Sequence, residues 1–226
     1  MKLQLSKPMD GWRALAGEIG IIVVGVLIAL GAQQLVQSAQ DRESVAQLRA
    51  GIKAELADDR ARWEYMRASD PCALRRLDLI DRWLATAAHG ARVAEPYRSV
   101  LLNLHTSSWD LAKTSPVMAQ IPLRERLTYA SLFAALENWR GLIHTEEANR
   151  QQLAALLETA NVPANRAQIA LAVAQARIMV NFRHASFAYL IKRFDDLGIR
   201  PDTRTLASVG DVNQLCRPLS SRQLPS

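Results

Sequence analysis

The side chains with catalytic or metal-binding chemistry are few and widely spaced in this sequence. No two histidines have the i, i+4 spacing of a helical metal site, and they lie at His89, His105, His144 and His184. His144 and Glu147 come nearest to a metal pair, because residues three apart share a helix face. His105 precedes Ser107 and Ser108, but no nucleophile-elbow sequence surrounds these serines. We therefore predict no catalytic, metal or cofactor site, and a protein that is not an enzyme.

The two cysteines, Cys72 and Cys216, are the next candidates for chemistry. In an oxidising compartment outside the cytoplasm, an even number of cysteines predicts a disulfide. One bridge would tie the C-terminal tail to the rest of the domain, and the loop-entropy estimate of its stabilisation is up to ~5 kcal/mol. The alternative is a pair of buried free thiols.

Basic and aromatic residues together could indicate a nucleic-acid partner, since the formal charge is +6. The arginines, however, are spread along the whole chain and alternate with acidic residues. One segment interleaves both residue types at helical spacing, with Phe182, Arg183, Phe187, Tyr189, Lys192 and Phe194. That spacing fits the buried face of a helix better. We expect no nucleic-acid partner, and attraction to anionic lipid headgroups is a lesser alternative.

An apolar segment lies near the start of the chain, and its location would determine on which side of a membrane the later residues lie. Residues 19–32 (IGIIVVGVLIALGA) contain no charged side chain. Extended to residues 14–36, the segment would rise about 35 Å as a helix, enough to cross a bilayer. Basic residues before it predict a cytoplasmic segment 1–13 and a chain that lies outside the cytoplasm from about residue 37. We expect a bacterial inner-membrane anchor, with the bulk of the chain periplasmic.

Two other interpretations of this segment compete with a retained anchor. The basic residues, the apolar run and the small residues Ala29 and Gly31 also resemble a cleaved signal peptide. Against cleavage, a helix-forming sequence continues directly through residues 33–67, whereas cleavage sites usually lie in extended segments. A buried core helix is the weakest alternative, because the segment is apolar on all sides.

Two features inside the apolar segment could have a function within the membrane. Glu18 is an ionisable group at its start, which could pair with a partner helix or carry a proton. In the simpler interpretation, its carboxylate lies near the headgroups in the first turn, where the helix dipole favours it. Gly25 and Ala29 form a small-x-x-x-small face that could pair with a second copy or with another envelope protein.

The start of the chain resembles a family of uncharacterised bacterial membrane-anchored proteins. The residues that carry the resemblance are Gly17-Glu18-Ile19, the run VVGVLIAL at residues 23–30, and the polar Gln33-Gln34 that follows. The glutamines stand where many members have Asn and Trp. The resemblance covers about residues 12–68 and implies that the anchor is retained. It implies no activity.

The rest of the sequence predicts an all-α bundle at residues 37–198. Apolar residues at helical spacing predict one helix from the anchor to residue 68, ended by Ser69-Asp70-Pro71, and a second from Pro71 to His89. Residues 90–122 are expected to be loop, with a short helix near residues 97–104. A third helix at residues 122–160 and a fourth at residues 164–197, ended by Gly198, form an antiparallel hairpin. We expect residues 199–226 to be an irregular tail.

This architecture favours a structural or interaction protein of the cell envelope, with the lipid bilayer and another envelope protein as partners. A ligand-sensing bundle that signals through a partner is one alternative. An exported soluble helical protein with a cleaved signal peptide is another. An enzyme with an unfamiliar site in residues 90–122 has no positive support in the sequence.

Overall fold

The computed structural model of the chain describes residues 11–86, 100–158, 165–212 and 216, with side chains from residue 16 onward. Within these ranges the chain is helical and contains no strand, so the all-α prediction is confirmed. The helices are α1 (Gly11–Thr86), α2 (Ser107–Thr114), α3 (Leu123–Glu158), α4 (Asn165–Asp196) and α5 (Thr203–Ser208), with a 3-10 helix at Pro116–Gln120.

The chain divides into two compact units, residues 1–48 and 49–226. The described part of the first unit is the start of α1, whose residues 16–40 are all exposed. The large apolar side chains of this segment are exposed as well: Ile21 is 76% exposed and Leu27 is 62% exposed. One helix in the described part of the chain is therefore long and apolar enough to cross a membrane.

The second unit is a bundle of the remainder of α1 with α3 and α4. Ion pairs between Arg49 and Glu125, and aromatic contact between Trp63 and Trp139, show that α1 and α3 run parallel. Arg60 and then Asp70 of α1 contact Asp195 and then Arg183 of α4, and Ser131 and then Glu146 of α3 contact Arg193 and then Arg183, so α4 runs antiparallel to both helices. The predicted hairpin of the third and fourth helices is thus confirmed. Apolar residues at helical spacing form the core of this bundle, and the buried ones include Ile52, Leu56, Met66, Leu77, Tyr129, Leu132, Leu136, Val173, Val180 and Leu190.

The predicted break at residues 69–71 is wrong, because α1 continues through Pro71 to Thr86. Proline cannot donate the helical hydrogen bond, which usually costs about 3 kcal/mol inside a helix. Here the helix is packed against the bundle on both sides of the proline, since Met66 and Ala73 are at most 1% exposed. In addition, Ser69 Oγ donates to the Met66 carbonyl at 2.6 Å. Packing of one continuous apolar face outweighs the local penalty. His89, the predicted end of the second helix, lies outside the described residues.

The connection before α3 also differs from the prediction. Residues 100–106 have no regular structure, and the short helix lies later, at Ser107–Thr114. Residues 97–99 of the predicted helix lie outside the described ranges. The segment packs on the bundle through Leu104 and Ile121, which are 2% and 1% exposed. The position of α2 is fixed by a tertiary contact, since the Glu55 carboxylate on α1 accepts the Ser108 amide at 2.9 Å.

The end of α4 and the following residues form an ordered structure on the bundle. Gly198 has φ +65°, and the amide of Ile199 donates to the Phe194 carbonyl at 2.9 Å, as expected for a glycine-ended helix. The expectation of an irregular tail is wrong for the described part, because Asp202 caps α5 by accepting from the Thr205 amide. The Asp202 amide in turn donates to the Ala57 carbonyl at 2.9 Å.

Candidate functional site

Two adjacent aspartates on α1 face a histidine from the segment before α2. His105 Nδ1 lies 3.1 Å from Asp58 Oδ2 and 3.4 Å from Asp59 Oδ1. The backbone amide of His105 also donates to Asp59 Oδ1 at 2.8 Å. The three side chains can offer one metal-ligating atom each, all within 4.8 Å of one another. We call them the Asp58–Asp59–His105 cluster.

The electrostatics of this cluster differ sharply between the two aspartates. Asp59 is fully buried, and its Oδ2 atom has no hydrogen-bond partner. Burial is the main cause that raises the pKa of Asp59 to about 8; the nearby Glu55 and Asp58 carboxylates act in the same direction, and the amide hydrogen bond from His105 acts against them. Partial burial also acts to raise the pKa of Asp58, but hydrogen bonds from Arg62 and Thr205 outweigh it and lower that pKa.

The serines beside this cluster have a structural role. Ser107 Oγ donates to Glu55 at 2.6 Å, and Ser108 donates to the same carboxylate from both its hydroxyl and its amide. Glu55 thereby binds the exposed amide end of α2, where a negative charge is favoured. Neither hydroxyl contacts His105 in any hydrogen bond of the structure, so the arrangement is not that of an activated serine nucleophile.

The histidine and glutamate with metal-pair spacing do not come together. Glu147 accepts from Arg150 Nε and from Gln151, both at 2.8 Å, and His144 is exposed. His184 is also exposed on α4, and His89 lies outside the described residues. Of the histidines in the described ranges, only His105 belongs to a cluster of possible metal ligands.

A buried charge cluster, not predicted from the sequence, joins the three long helices. Arg183 of α4 donates to Asp70 of α1 at 2.9 Å from Nε and at 2.5 Å from Nη2. Its Nη1 donates to Glu146 of α3 at 2.5 Å. All three residues are at most 3% exposed. Burial raises the pKa of Asp70, and the charge of Arg183 only partly offsets it. Because Arg183 and Phe194 are both buried, they are not part of an exposed basic and aromatic surface.

The structure joins Cys72 and Cys216 by a disulfide, the pairing that the sequence predicts. Their Cα atoms are 5.0 Å apart across a sequence separation of 144 residues. Arg75 donates to the Cys216 carbonyl, which adds a polar contact at the same place. The bridge ties residue 216 to α1 beside Pro71.

The residues singled out within the apolar segment all lie on the exposed part of α1. Glu18, Gly25 and Ala29 are exposed, and a Cβ atom added to Gly25 would meet nothing within 4 Å. The surface at Gly25 is therefore open to a neighbour. Pairing through it and a role for Glu18 stay predictions.

These features define an all-α protein in which one helix is able to cross a membrane and a disulfide closes the helical bundle. Neither a family model, nor a curated protein, nor a solved structure matches the chain. The resemblance of residues 12–68 to a bacterial membrane-anchored family consequently stays a prediction.

Proposed function

We propose that this chain is a single-pass protein of the bacterial inner membrane whose helical bundle lies in the periplasm and serves as a non-enzymatic interaction component of the cell envelope. The observation that carries the proposal is the exposed apolar start of α1. All residues from 16 to 40 are exposed in the described unit, including the run of large aliphatic side chains. An exposed apolar surface of this extent needs an apolar environment, which a bilayer provides.

The location outside the cytoplasm is supported by the cysteines and by the flanking charges. A disulfide such as Cys72–Cys216 persists in oxidising compartments and is rare in the cytoplasm. Lys2, Lys7 and Arg13 precede the apolar segment, and such residues favour the cytoplasmic side. The disulfide and the basic residues are independent of each other, and both favour a cytoplasmic N-terminus with the bundle outside the cytoplasm.

Retention of the anchor is supported by the continuity of α1. The helix includes residues 29–31, where a signal peptidase would have to cleave. The test is the mass of the protein recovered from membranes that have been washed with alkaline carbonate. We expect the intact chain of 25.1 kDa in the membrane pellet. A soluble product that begins near residue 32 would instead establish the exported form with a cleaved signal peptide.

The orientation is tested separately with C-terminal reporter fusions to the full chain. A fusion to alkaline phosphatase is expected to be active, because this enzyme needs disulfides that form only outside the cytoplasm. A matching fusion to a fluorescent protein that matures only in the cytoplasm is expected to stay dark. The reverse pattern would refute the periplasmic location.

Pairing through the membrane segment is tested by disulfide trapping in intact cells. A cysteine introduced at Gln33 would report on a second copy of the helix, and Gly25→Leu should abolish the trapped dimer, because a large side chain separates the backbones. Gly20→Leu is a matched control, since Gly20 lies on another side of the same helix and is equally open. Absence of a dimer in the parent, or equal loss in both variants, would contradict self-pairing.

A ligand-sensing bundle is the second candidate, and one groove favours it. An open groove of about 790 Å³ lies where the start of α3 meets the end of α4. Leu127 and Tyr189 line it, 60% and 56% exposed, beside the basic Arg124 and Arg193 and the ion pair of Lys192 with Asp196. This chemistry suits an amphipathic anion. Thermal-shift measurements with fatty acids should raise the melting temperature of the full chain but not of a Leu127→Glu variant. No shift in the parent would rule this candidate out.

A further inference from the structure

The Asp58–Asp59–His105 cluster has the spacing of a metal site. Zn²⁺ binds histidine nitrogen and carboxylate oxygen at about 2.0–2.2 Å, so that ligands at two corners of a tetrahedron lie roughly 3.3–3.6 Å apart. The distances from His105 Nδ1 to the two carboxylate oxygens are 3.1 and 3.4 Å. His105 Nδ1 is thus at the separation of two metal ligands from each oxygen, and the three ligand atoms lie within 4.8 Å of one another, so small side-chain adjustments would let them share one cation.

An independent observation is the buried, unpartnered oxygen of Asp59. Asp59 is 0% exposed, and its Oδ2 atom has no hydrogen-bond partner in the structure. Buried polar atoms are normally satisfied, and a lone carboxylate in an apolar environment is costly. The one nearby arginine that acts on Asp59, Arg62, is hydrogen-bonded to Asp58 instead. A bound cation would offset the charge of this buried carboxylate, whose other oxygen, Oδ1, lies 3.4 Å from His105 Nδ1.

The surrounding contacts hold the carboxylates in the way that metal ligands are held. The His105 amide fixes Asp59 Oδ1, and Thr205 from the segment after α4 donates to Asp58 Oδ1 at 2.5 Å. Such hydrogen bonds from neighbouring groups orient ligands and sharpen affinity. Glu55, Asp58 and Asp59 place three carboxylates beside the single guanidinium of Arg62, which favours a divalent cation.

We propose that Asp58, Asp59 and His105 bind a divalent transition-metal cation, with Zn²⁺ the best match to one nitrogen and two oxygen ligands. The histidine side chain is 42% exposed, so the site is open to solvent and can keep a water molecule in its remaining position. The mixed ligand set disfavours Mg²⁺ and Ca²⁺, which take oxygen ligands. The site links α1 to the segment before α2 and is separate from the anchor on which the proposed function rests.

The test is titration calorimetry of the full chain in detergent, stripped with a chelator, against Zn²⁺ and against Mg²⁺. We expect one Zn²⁺ per chain and no response to Mg²⁺. Asp59→Asn and His105→Gln should each weaken Zn²⁺ binding by about 100-fold or more, because loss of an outer-shell partner alone costs 10–100-fold. His144→Gln is the matched control and should bind as the parent does.

A spectroscopic measurement separates this site from surface binding. Co²⁺ in place of Zn²⁺ should show the strong visible absorption of a tetrahedral complex in the parent and in His144→Gln, and lose it in His105→Gln. The proposal is overturned if the parent binds no Zn²⁺ at micromolar concentration, if Mg²⁺ binds equally, or if Asp59→Asn and His105→Gln bind like the parent. Far-ultraviolet circular dichroism of each variant identifies any that is unfolded. The Zn²⁺ binding of the variant that is folded then tests the proposal.

Discussion

Asp59 should impose a measurable pH dependence on the stability of the bundle. Its carboxyl is buried, and its pKa is raised from the usual 3.8 to about 8. The folded protein therefore holds a proton between these two values that the unfolded chain has released. It follows that the stability falls as the pH rises through this window. Asn at this position cannot ionise, so Asp59→Asn should remove the dependence.

The size of the effect follows from the two pKa values. At pH 5 the folded form keeps its proton while the unfolded form has lost most of its own, and at pH 8 the folded form is about half ionised. Integrating between these limits gives a loss of roughly 3–4 kcal/mol in the free energy of unfolding from pH 5 to pH 8. This is a large part of the 5–15 kcal/mol that is typical of a folded domain.

The assay is urea unfolding of the full chain in detergent micelles, followed by circular dichroism at several pH values, with chelator present to exclude metal. Asp58→Asn is the matched control, because Asp58 has a lowered pKa. Its carboxylate contributes stability above pH 4 that is lost as the pH falls, so this variant should be less stable; it should keep most of the slope of the parent, because Asp58 is only a lesser cause of the raised pKa of Asp59. Parallel curves for the parent and Asp59→Asn would refute the reasoning.

Three further predictions concern the contacts that hold the bundle together. Cys72→Ser should lower the free energy of unfolding by up to ~5 kcal/mol and abolish the change in gel mobility on reduction; an unchanged mobility shift would contradict the bridge. Arg183→Met should cost about 3–5 kcal/mol in urea unfolding, because it leaves Asp70 and Glu146 buried without their cation. A loss below 1 kcal/mol would show that the cluster is solvated. Pro71→Ala should stabilise by about 1–3 kcal/mol in the same assay, since it restores a helical hydrogen bond, and a lower stability would oppose this.

The helices that the sequence predicted best are those with clean local signals. The third and fourth helices were expected at residues 122–160 and 164–197, and they occur at Leu123–Glu158 and Asn165–Asp196. Their starts and ends coincide with proline, asparagine and glycine, whose backbone preferences act within a few residues. Gly198 is the clearest example, because its positive φ ends α4 as predicted.

The predicted break at Pro71 rests on the local rule that proline ends a helix, whereas the spacing of buried positions along α1 favours one continuous helix. Buried positions of α1 follow each other at intervals of three and four from Ile52 to Ile80, and Asp70 occupies one of them. The pattern does not change phase at Pro71, which is evidence for one helix. The same pattern in α4 places Arg183 between Val180 and Leu190 on the buried face. A charged residue at such a position indicates a buried partner, so the burial of Arg183 in a charge cluster could be predicted from the sequence.

The remaining contacts depend on residues that are distant in sequence. The amide of His105 reaches Asp59 across 46 positions, and Thr205 reaches Asp58 across 147. No spacing rule connects such residues, because their proximity is created by the packing of α1 against segments that precede α2 and follow α4. The burial of Asp59 likewise depends on those segments, and its neighbours in sequence, Asp58 and Arg60, give no indication of it.

The Cys72–Cys216 bridge encloses α2, α3, α4 and α5 in one covalent ring. A protease that cuts the backbone once anywhere between these cysteines opens the ring but separates nothing, because both fragments remain joined through the sulfur atoms. In the proposed form with a retained anchor, release of the bundle from the membrane requires a cut between the anchor and Cys72, two cuts within the ring, or one cut within the ring together with reduction of the bridge. In this proposed membrane-anchored form, the disulfide keeps the bundle attached after a single cut within the ring, in addition to stabilising it against unfolding.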